Sequence, residues 1–259
     1  MSRPLIDFGT AAGDYARHRP GFPDVFFDHV RCYGVGVAGQ RVVDLGTGTG
    51  TLARGFAARG CDAVGLDPSP EMLREAVALS HAAGLSVAYV RAWAETTGLR
   101  AGVFDLVCAG QCWHWFDRPR AAAEAARLLH RGGCVLIAYF TYLSEPGTLG
   151  AASEAIVLGH NPTWPLAGSD GRAPRFAADL TGAGLAHVDT FELDMAITMS
   201  HEAWRGRLRA CNGVFTMPPE KVAAFDADLA ALLAERYPEP LMVPHRLFGI
   251  VGKKGDAQS

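Results

Sequence analysis

An α/β fold with a parallel sheet is the reading that three observations support. Short aliphatic and β-branched runs alternate with amphipathic or alanine-rich stretches from residue 41 to residue 141. A glycine-rich turn, Gly46-Thr47-Gly48-Thr49-Gly50, joins the first of those runs to a helical stretch. Beyond residue 141 the alternation stops and helical segments accumulate, which predicts cap insertions on the basic layer.

The elements follow in order. Strands are predicted near residues 41–45, 61–67, 86–90, 103–109 and 133–141, each a run that can be buried on both faces. Pro70 opens a helix carrying Met72, Leu73, Val77 and Leu79, and the alanine-rich stretch from Arg120 to His130 reads as another, ended by Gly132. A helix over Leu149 to Leu158, a Pro/Gly/Trp loop from Asn161 to Gly171 and a helix over Arg175 to Ala183 precede a sixth strand at about 185–194. Helices over Glu202 to Cys211 and Glu220 to Tyr237 then delay the last strand, Pro244 to Val251. The whole chain, residues 1–259, is read as one domain whose cap elements come from residues 1–35, 142–184 and 196–240.

Composition narrows the function classes. A net charge of -3 leaves no basic footprint for nucleic acid or an anionic membrane surface, so a small-molecule partner is expected; oligomeric state is left open. Six cysteines without a C-x-x-C pair suggest neither a zinc site nor a disulfide framework, and no metal is expected. With no targeting segment and no apolar run of about 18 residues, the expected location is the cytoplasm. Only Lys221, Lys253 and Lys254 are lysines among 24 basic residues, a bias associated with GC-rich bacterial genomes.

The glycine-rich turn carries the chemistry. Glycines without side chains let the backbone approach a ligand, and Asp67, ending the next strand, can accept hydrogen bonds from both hydroxyls of a ribose. Together they imply an adenosine. Asp44 before the first glycine would repel a diphosphate and attract an amino group and a sulfonium, which argues against a nicotinamide-dependent oxidoreductase. Asp44-Leu45-Gly46-Thr47-Gly48-Thr49-Gly50 resembles the E/D-x-G-x-G-x-G motif of class I S-adenosylmethionine (SAM)-dependent methyltransferases. The resemblance continues through Asp67-Pro68-Ser69-Pro70-Glu71-Met72-Leu73, Phe104-Asp105-Leu106-Val107 and Leu128-Leu129-His130-Arg131-Gly132-Gly133, where the proline usual in the last segment is missing. It implies a Rossmann-like seven-stranded sheet with strand seven antiparallel between strands five and six, and SAM as cofactor. The function it implies is methyl transfer to an oxygen or nitrogen of a small molecule, in bacterial specialised metabolism by association; a non-catalytic SAM-binding protein is the alternative.

Site residues are assigned on the same footing. Asp44, Gly46, Thr47, Gly48, Gly50 and Asp67 form the cofactor cradle, with Pro68 and Met72 beside the adenine and Ala94-Glu95 resembling the segment that contacts its amino group. Trp93 stands where an aspartate is common in that family. Tyr15 and Arg19 of Tyr15-Ala16-Arg17-His18-Arg19-Pro20 resemble a leader that closes over the cofactor, the arginine pairing with its carboxylate. Ala109 and Gln111 lie at the cofactor end of Ala109-Gly110-Gln111-Cys112-Trp113-His114-Trp115-Phe116, which is similar to the HWF segment of trans-aconitate-type methyltransferases. Trp113, His114, Trp115 and Phe116 are acceptor-side candidates, of which one or two should be core; His114, with an ordinary pKa of about 6.5, is a candidate base alongside Tyr15. In the cap, Trp164 and Arg207 are candidate acceptor contacts, against the alternative that Arg207 covers apolar surface with its stem.

Overall fold

The computed structural model describes residues 21–255. Helix α1 (Asp24–Val30) leads to β1 (Arg41–Leu45), α2 (Thr51–Ala57), β2 (Asp62–Asp67), α3 (Pro70–Ala82), β3 (Ala88–Arg91) and β4 (Phe104–Gly110). Then come α4 (Arg118–Leu128), β5 (Leu129–Tyr142), α5 (Leu149–His160), α6 (Ala177–Gly182), β6 (Leu185–Met199), α7 (His201–Arg209), α8 (Asn212–Phe215), α9 (Pro219–Arg236) and β7 (Leu241–Lys254). The seven strands are ordered β3-β2-β1-β4-β5-β7-β6, and β7 runs antiparallel to the rest. The sheet is therefore Rossmann-like with a reversed last strand, as the motif resemblance implied.

Parallel pairing of β1 with β2 and β4 puts the central strands between helices, and Val42, Val43, Leu106 and Val107 are fully buried. Each such side chain contributes roughly 1.5–3 kcal/mol by leaving water. Helix starts are written locally. Ser69 accepts the N–H of Met72 with Pro70 in the first turn of α3, and Asp117 accepts the N–H of Arg120 at the start of α4. The alanines of α4 form its inward face, with Ala121, Ala122, Ala125 and Leu128 buried against the sheet core.

One boundary differs from the sequence reading in an instructive way. The helix preceding strand five ends at Leu128 and the strand begins at Leu129, so His130 lies in β5 and not in the helix. Pairing jumps from Phe104↔Leu129 to Leu106↔Cys134, so β5 carries extra residues there, with Gly132 at a φ of 79°. The His130 ring accounts for this: it sits 2.9 Å from Asp105, whose other oxygen accepts the Arg41 N–H at 2.7 Å, tying the bulge to the start of β1. Strands six and seven also run longer than predicted, to Met199 and Lys254.

Contacts divide the chain into two compact units. Among the described residues, one contains residues 21–140, 173–192 and 247–255 and holds the glycine-rich turn; the other contains residues 141–172 and 193–246 and is mainly helical. The helical unit has its own core. Phe225, Leu229 and Leu233 form one stripe of α9, packed with Trp204 and Leu208 of α7, Val157 of α5 and Val243 of β7, and the Trp204 indole donates to Ser153 at 3.0 Å. Beside that stripe, Arg205 and Arg209 of α7 both pair with Asp226 of α9. No helix among the described residues is long and apolar enough to cross a membrane.

Glu124 on α4 links that helix to the loop after β3. It accepts the Thr97 N–H at 3.0 Å and the Arg127 Nε–H at 2.6 Å, and these bonds, the Arg127 guanidinium foremost, hold its carboxyl down at about 2. Because the folded value lies below the ordinary one of 4.5, the stabilisation is complete above about pH 4.5 and fades as pH falls toward 2. Glu124→Gln is expected to lose on the order of 1–2 kcal/mol at pH 7 and to converge on wild type only as pH falls to about 2, read from urea melts across that range.

Candidate functional site

The order of strands reverses between β1 and β4, and the C-terminal ends of strands at such a point form the ligand crevice of open α/β sheets. Three segments meet at that edge: the turn after β1, the end of β2 at Asp67, and the segment after β4. In the turn, Gly46, Gly48 and Gly50 have φ values of 64°, 54° and 81°, a region that L side chains seldom adopt. Their surroundings differ. A Cβ at Gly46 would lie 2.9 Å from Cys112 Sγ and from the Phe116 ring, and one at Gly50 would lie 2.3 Å from the Tyr89 hydroxyl. A Cβ at Gly48 would meet none of the described residues within 4 Å. The turn is thus packed on the protein at its two ends and open in its middle, which is the side available to a ligand.

Two carboxylates define the electrostatics. Asp67 accepts the Gly48 N–H and the Ser69 N–H, each at 2.9 Å, so one side chain fixes both the open glycine and the start of α3. A carboxylate has about four acceptor positions, which leaves capacity for further donors. Burial raises the Asp67 pKa while those two bonds pull it down. Asp44 is 2% exposed, accepts the Thr47 hydroxyl at 2.6 Å and the Ala53 N–H at 3.3 Å, and takes the Cys108 thiol at 3.6 Å. Its carboxylate therefore holds the turn from beneath through the loop's own donors. Thr47, itself buried, acts in the same clasp.

The segment after β4 is anchored at several points. Gln111 adopts a φ of 65°, unusual for a residue with a side chain, and is held by its N–H to Ala138 O at 2.8 Å and by its side-chain amide to Phe140 O. Cys112 donates to Leu45 O at 3.2 Å, tying this segment to the end of β1. Trp113 is a correction to its assignment as an acceptor contact: it is fully buried, with its indole N–H on Asp179 at 2.9 Å, because the short 3-10 turn over Trp113–Trp115 points it into the core. Its neighbours divide differently. Phe116 packs on Gly46, while His114 and Trp115 are partly exposed with ring centroids 4.5 Å apart. The His114 Nδ1 lies 3.1 Å from the Tyr139 hydroxyl, which also accepts the His114 backbone N–H at 3.3 Å.

Other assigned residues fall elsewhere. Met72 and Ala109 are buried, and Pro68 is half-buried with its carbonyl accepting from Arg91. Ala94 packs in the sheet core, whereas the Glu95 carboxylate accepts the Asp117 N–H at 2.7 Å and so helps define the start of α4. Trp164 is a second correction: its indole N–H bonds Asn212 at 3.1 Å and its ring fills the space over Gly213, inside the core of the helical unit. Arg207 is 5% exposed in the same unit, with its guanidinium 5.4 Å from the centre of the Tyr142 ring. Tyr15 and Arg19 lie outside the described residues. Two residues that sequence reading passed over, Tyr89 and Tyr139, press on the turn and on His114; an aromatic in an otherwise ordinary strand gave no signal of this. Among the described residues no group of three or more His, Cys, Asp or Glu could hold a metal.

Residues 43–137 match the profile of a family described as Methyltransferase domain. An uncharacterized methyltransferase of Mycobacterium tuberculosis is 41% identical over 128 residues, 49% of each chain. A ubiquinone biosynthesis O-methyltransferase of Methylococcus capsulatus is 37% identical over 101 residues, 38% of this chain and 43% of that one. The chain thus spans about half the length of the curated relatives it matches. Among solved structures, a phosphoethanolamine N-methyltransferase 2 of Haemonchus contortus in complex with S-adenosyl-L-methionine superposes with a TM-score of 0.59 at 17% identity, covering 99% of this chain and 62% of that one. That likeness is one of fold.

The buried Asp44 carboxyl yields a prediction whose sign is fixed by its environment. Burial pushes it up to about 7, against the pull of Thr47, Ala53 and Cys108. Since the folded value exceeds the ordinary 3.8, its contribution to stability is largest below about pH 3.8 and declines as pH rises through 7. Asp44→Asn keeps an acceptor for Thr47 and Ala53 without the charge, so its melting temperature relative to wild type should improve steadily from pH 4 to pH 8. Parallel curves for the two proteins would show that the carboxyl stays ionised throughout.

Proposed function

We propose that the chain is a SAM-dependent methyltransferase that transfers a methyl group to an oxygen or nitrogen of a small molecule. The observation that carries this reading is the pairing of an open Gly48 with Asp67, a buried carboxylate that fixes the turn and keeps acceptor capacity at the end of β2. The match of residues 43–137 to the methyltransferase domain supports it. When bound, SAM supplies an activated methyl group. The residues present fit such a cofactor: Asp67 has positions left for two ribose hydroxyls, and the open face of Gly48 admits the methionine part. Tyr15 and Arg19 are assigned to closing over the cofactor carboxylate, on the leader motif, with trans-aconitate-type enzymes the nearest functional comparison for the leader and for His114-Trp115-Phe116.

What this chain contributes to chemistry is alignment and, for some acceptors, a proton acceptor. Positioning a nucleophile in line is worth about 7–11 kcal/mol in well-oriented reactions. An amine arriving neutral needs no base, whereas a hydroxyl must lose a proton. His114 can take it at Nε2 only as the tautomer whose Nδ1–H donates to the Tyr139 hydroxyl, so Tyr139 is the group that would orient this base. The site is proposed to act in the cytoplasm on a bacterial metabolite.

Asp67 supports the turn as well as the proposed cofactor site. Alanine there would leave the Gly48 and Ser69 N–H groups without their acceptor, so Asp67→Ala is expected to loosen the turn as well as the cofactor. Asp67→Asn keeps one of the two acceptor oxygens and turns an NH2 toward the other N–H, so it should weaken SAM binding by about tenfold to a hundredfold in calorimetry, with a loss of melting temperature smaller than that of Asp67→Ala. Unchanged affinity in a folded variant would remove Asp67 from the site. Turnover is read as S-adenosylhomocysteine formed against a panel of small alcohols, acids and amines, with the product mass identifying the acceptor.

A second expected outcome separates base from wall. With a hydroxyl acceptor, His114→Asn and Tyr139→Phe should both lower turnover at constant SAM affinity, and His114→Asn should abolish the acidic limb of the pH profile. With an amine acceptor both variants should retain most of their turnover. Loss of SAM affinity in His114→Asn would place the imidazole against the cofactor instead.

A further inference from the structure

Beneath the glycine-rich turn lies a contact that the cofactor reading does not use. Tyr89 on β3 pairs in register with Gly65 on β2. A Cβ at Gly65 would sit 2.7 Å from the Tyr89 ring and 2.8 Å from Thr47 Oγ1, so the missing side chain is what lets the phenol cross β2 toward the turn. The ring ends against Gly50, where a Cβ would lie 2.3 Å from the hydroxyl and 3.1 Å from the ring carbon bearing it. The hydroxyl bonds Ser80 Oγ of α3 at 2.8 Å, and Ser80 is buried. Arg54 of α2 completes the arrangement by donating to Thr49 O from beside the same hydroxyl.

These contacts join three pieces that must keep their spacing for a ligand to bridge Gly48 and Asp67. Gly50 is the residue at which the turn becomes α2; Gly65 belongs to the strand that ends in Asp67; Ser80 belongs to the helix that Ser69 opens. Van der Waals contact at Gly50 sets how far the turn can sink, and the hydrogen bond to Ser80 sets how far the phenol can retreat. Asp44 and Thr47 clasp the first half of the turn, Asp67 holds Gly48, and Tyr89 and Arg54 meet its far end at Gly50 and Thr49. Burial of the hydroxyl also raises its pKa, so it stays protonated and available to Ser80.

We infer that Tyr89 is a positioning residue for the cofactor: its phenol, held by Ser80, props the Gly48–Gly50 half of the turn at the height from which it and Asp67 engage one ligand. This rests on the reading proposed above and adds to it a determinant in the edge strand, outside the motifs. The expected signature is weakened cofactor binding with the chemical step intact. Tyr89→Leu removes the prop, and Tyr89→Phe keeps the ring but removes the hydroxyl with its bond to Ser80 and its contact with Arg54; Ser80→Ala removes the Ser80 bond alone.

The test is calorimetric titration of S-adenosylhomocysteine into wild type, Tyr89→Phe, Tyr89→Leu, Ser80→Ala and Ile137→Val, with melting temperatures for all. Ile137 is fully buried in β5 and serves as a control for general loosening. Tyr89→Phe and Ser80→Ala should each weaken binding by about threefold to tenfold, the range of one lost hydrogen bond, and should be non-additive when combined. Tyr89→Leu should be weaker still, while Ile137→Val binds as wild type at a comparable loss of melting temperature. With an acceptor in hand, KM for SAM should rise in the Tyr89 variants while kcat changes less than twofold. Wild-type affinity in Tyr89→Phe and Tyr89→Leu overturns the inference and leaves the cofactor reading standing, as does an equal loss in Ile137→Val. Absence of binding to the wild type overturns both.

Discussion

A buried carboxylate under a left-handed glycine turn is the constraint on which the C-terminal edge of the sheet depends. Asp44 lies one residue before the end of β1 and is 2% exposed, so its side chain must find donors inside. It finds Thr47 and Ala53, and the price of that burial is visible in a carboxyl raised to about 7. An unpaired carboxylate there would cost several kcal/mol, so the turn and the first residues of α2 are locked to the strand end. The backbone can follow that path only because Gly46, Gly48 and Gly50 tolerate positive φ.

From that clasp the neighbouring segments take their places. Asp67 fixes Gly48 to the end of β2, and Cys112 fixes the segment after β4 to Leu45. Phe116 closes on Gly46 and Tyr89 on Gly50, so the turn has a wall at each end and an opening between them. The two glycines that face protein and the one that faces open space look identical in a motif. Their functions are opposite: two permit packing, and one permits approach.

The helical unit follows separate rules. Its tryptophans are anchored by hydrogen bonds within it, Trp204 to Ser153 and Trp164 to Asn212, and its arginines 205 and 209 converge on Asp226. Aromatic and arginine residues in an insertion resemble ligand contacts when seen only in sequence. Here the Trp164 ring instead fills the hole left by the missing side chain of Gly213, a partnership across about fifty residues that no local pattern announces. Trp113 behaves in the same way after β4, where Asp179 supplies the acceptor that its indole N–H requires once buried.

The alternation of strands and helices, the glycine turn with its two acids and the helix start at Pro70 were legible in the chain, because these depend on side-chain period, φ tolerance and local backbone preference within a few residues. Only the tertiary structure decided which way the side chains of those motifs face. Asp44 turned inward because the Thr47 hydroxyl and the Ala53 N–H meet it there, Glu95 turned to the Asp117 N–H because α4 begins beside it, and the start of β5 moved to Leu129 because His130 meets Asp105. The roles of Tyr89 and Tyr139 were likewise decided by distant partners, Gly50 and His114, that come together only when strands from different parts of the chain pair. Local rules carry information over one turn or one strand; the facing of a side chain depends on what the rest of the chain leaves next to it.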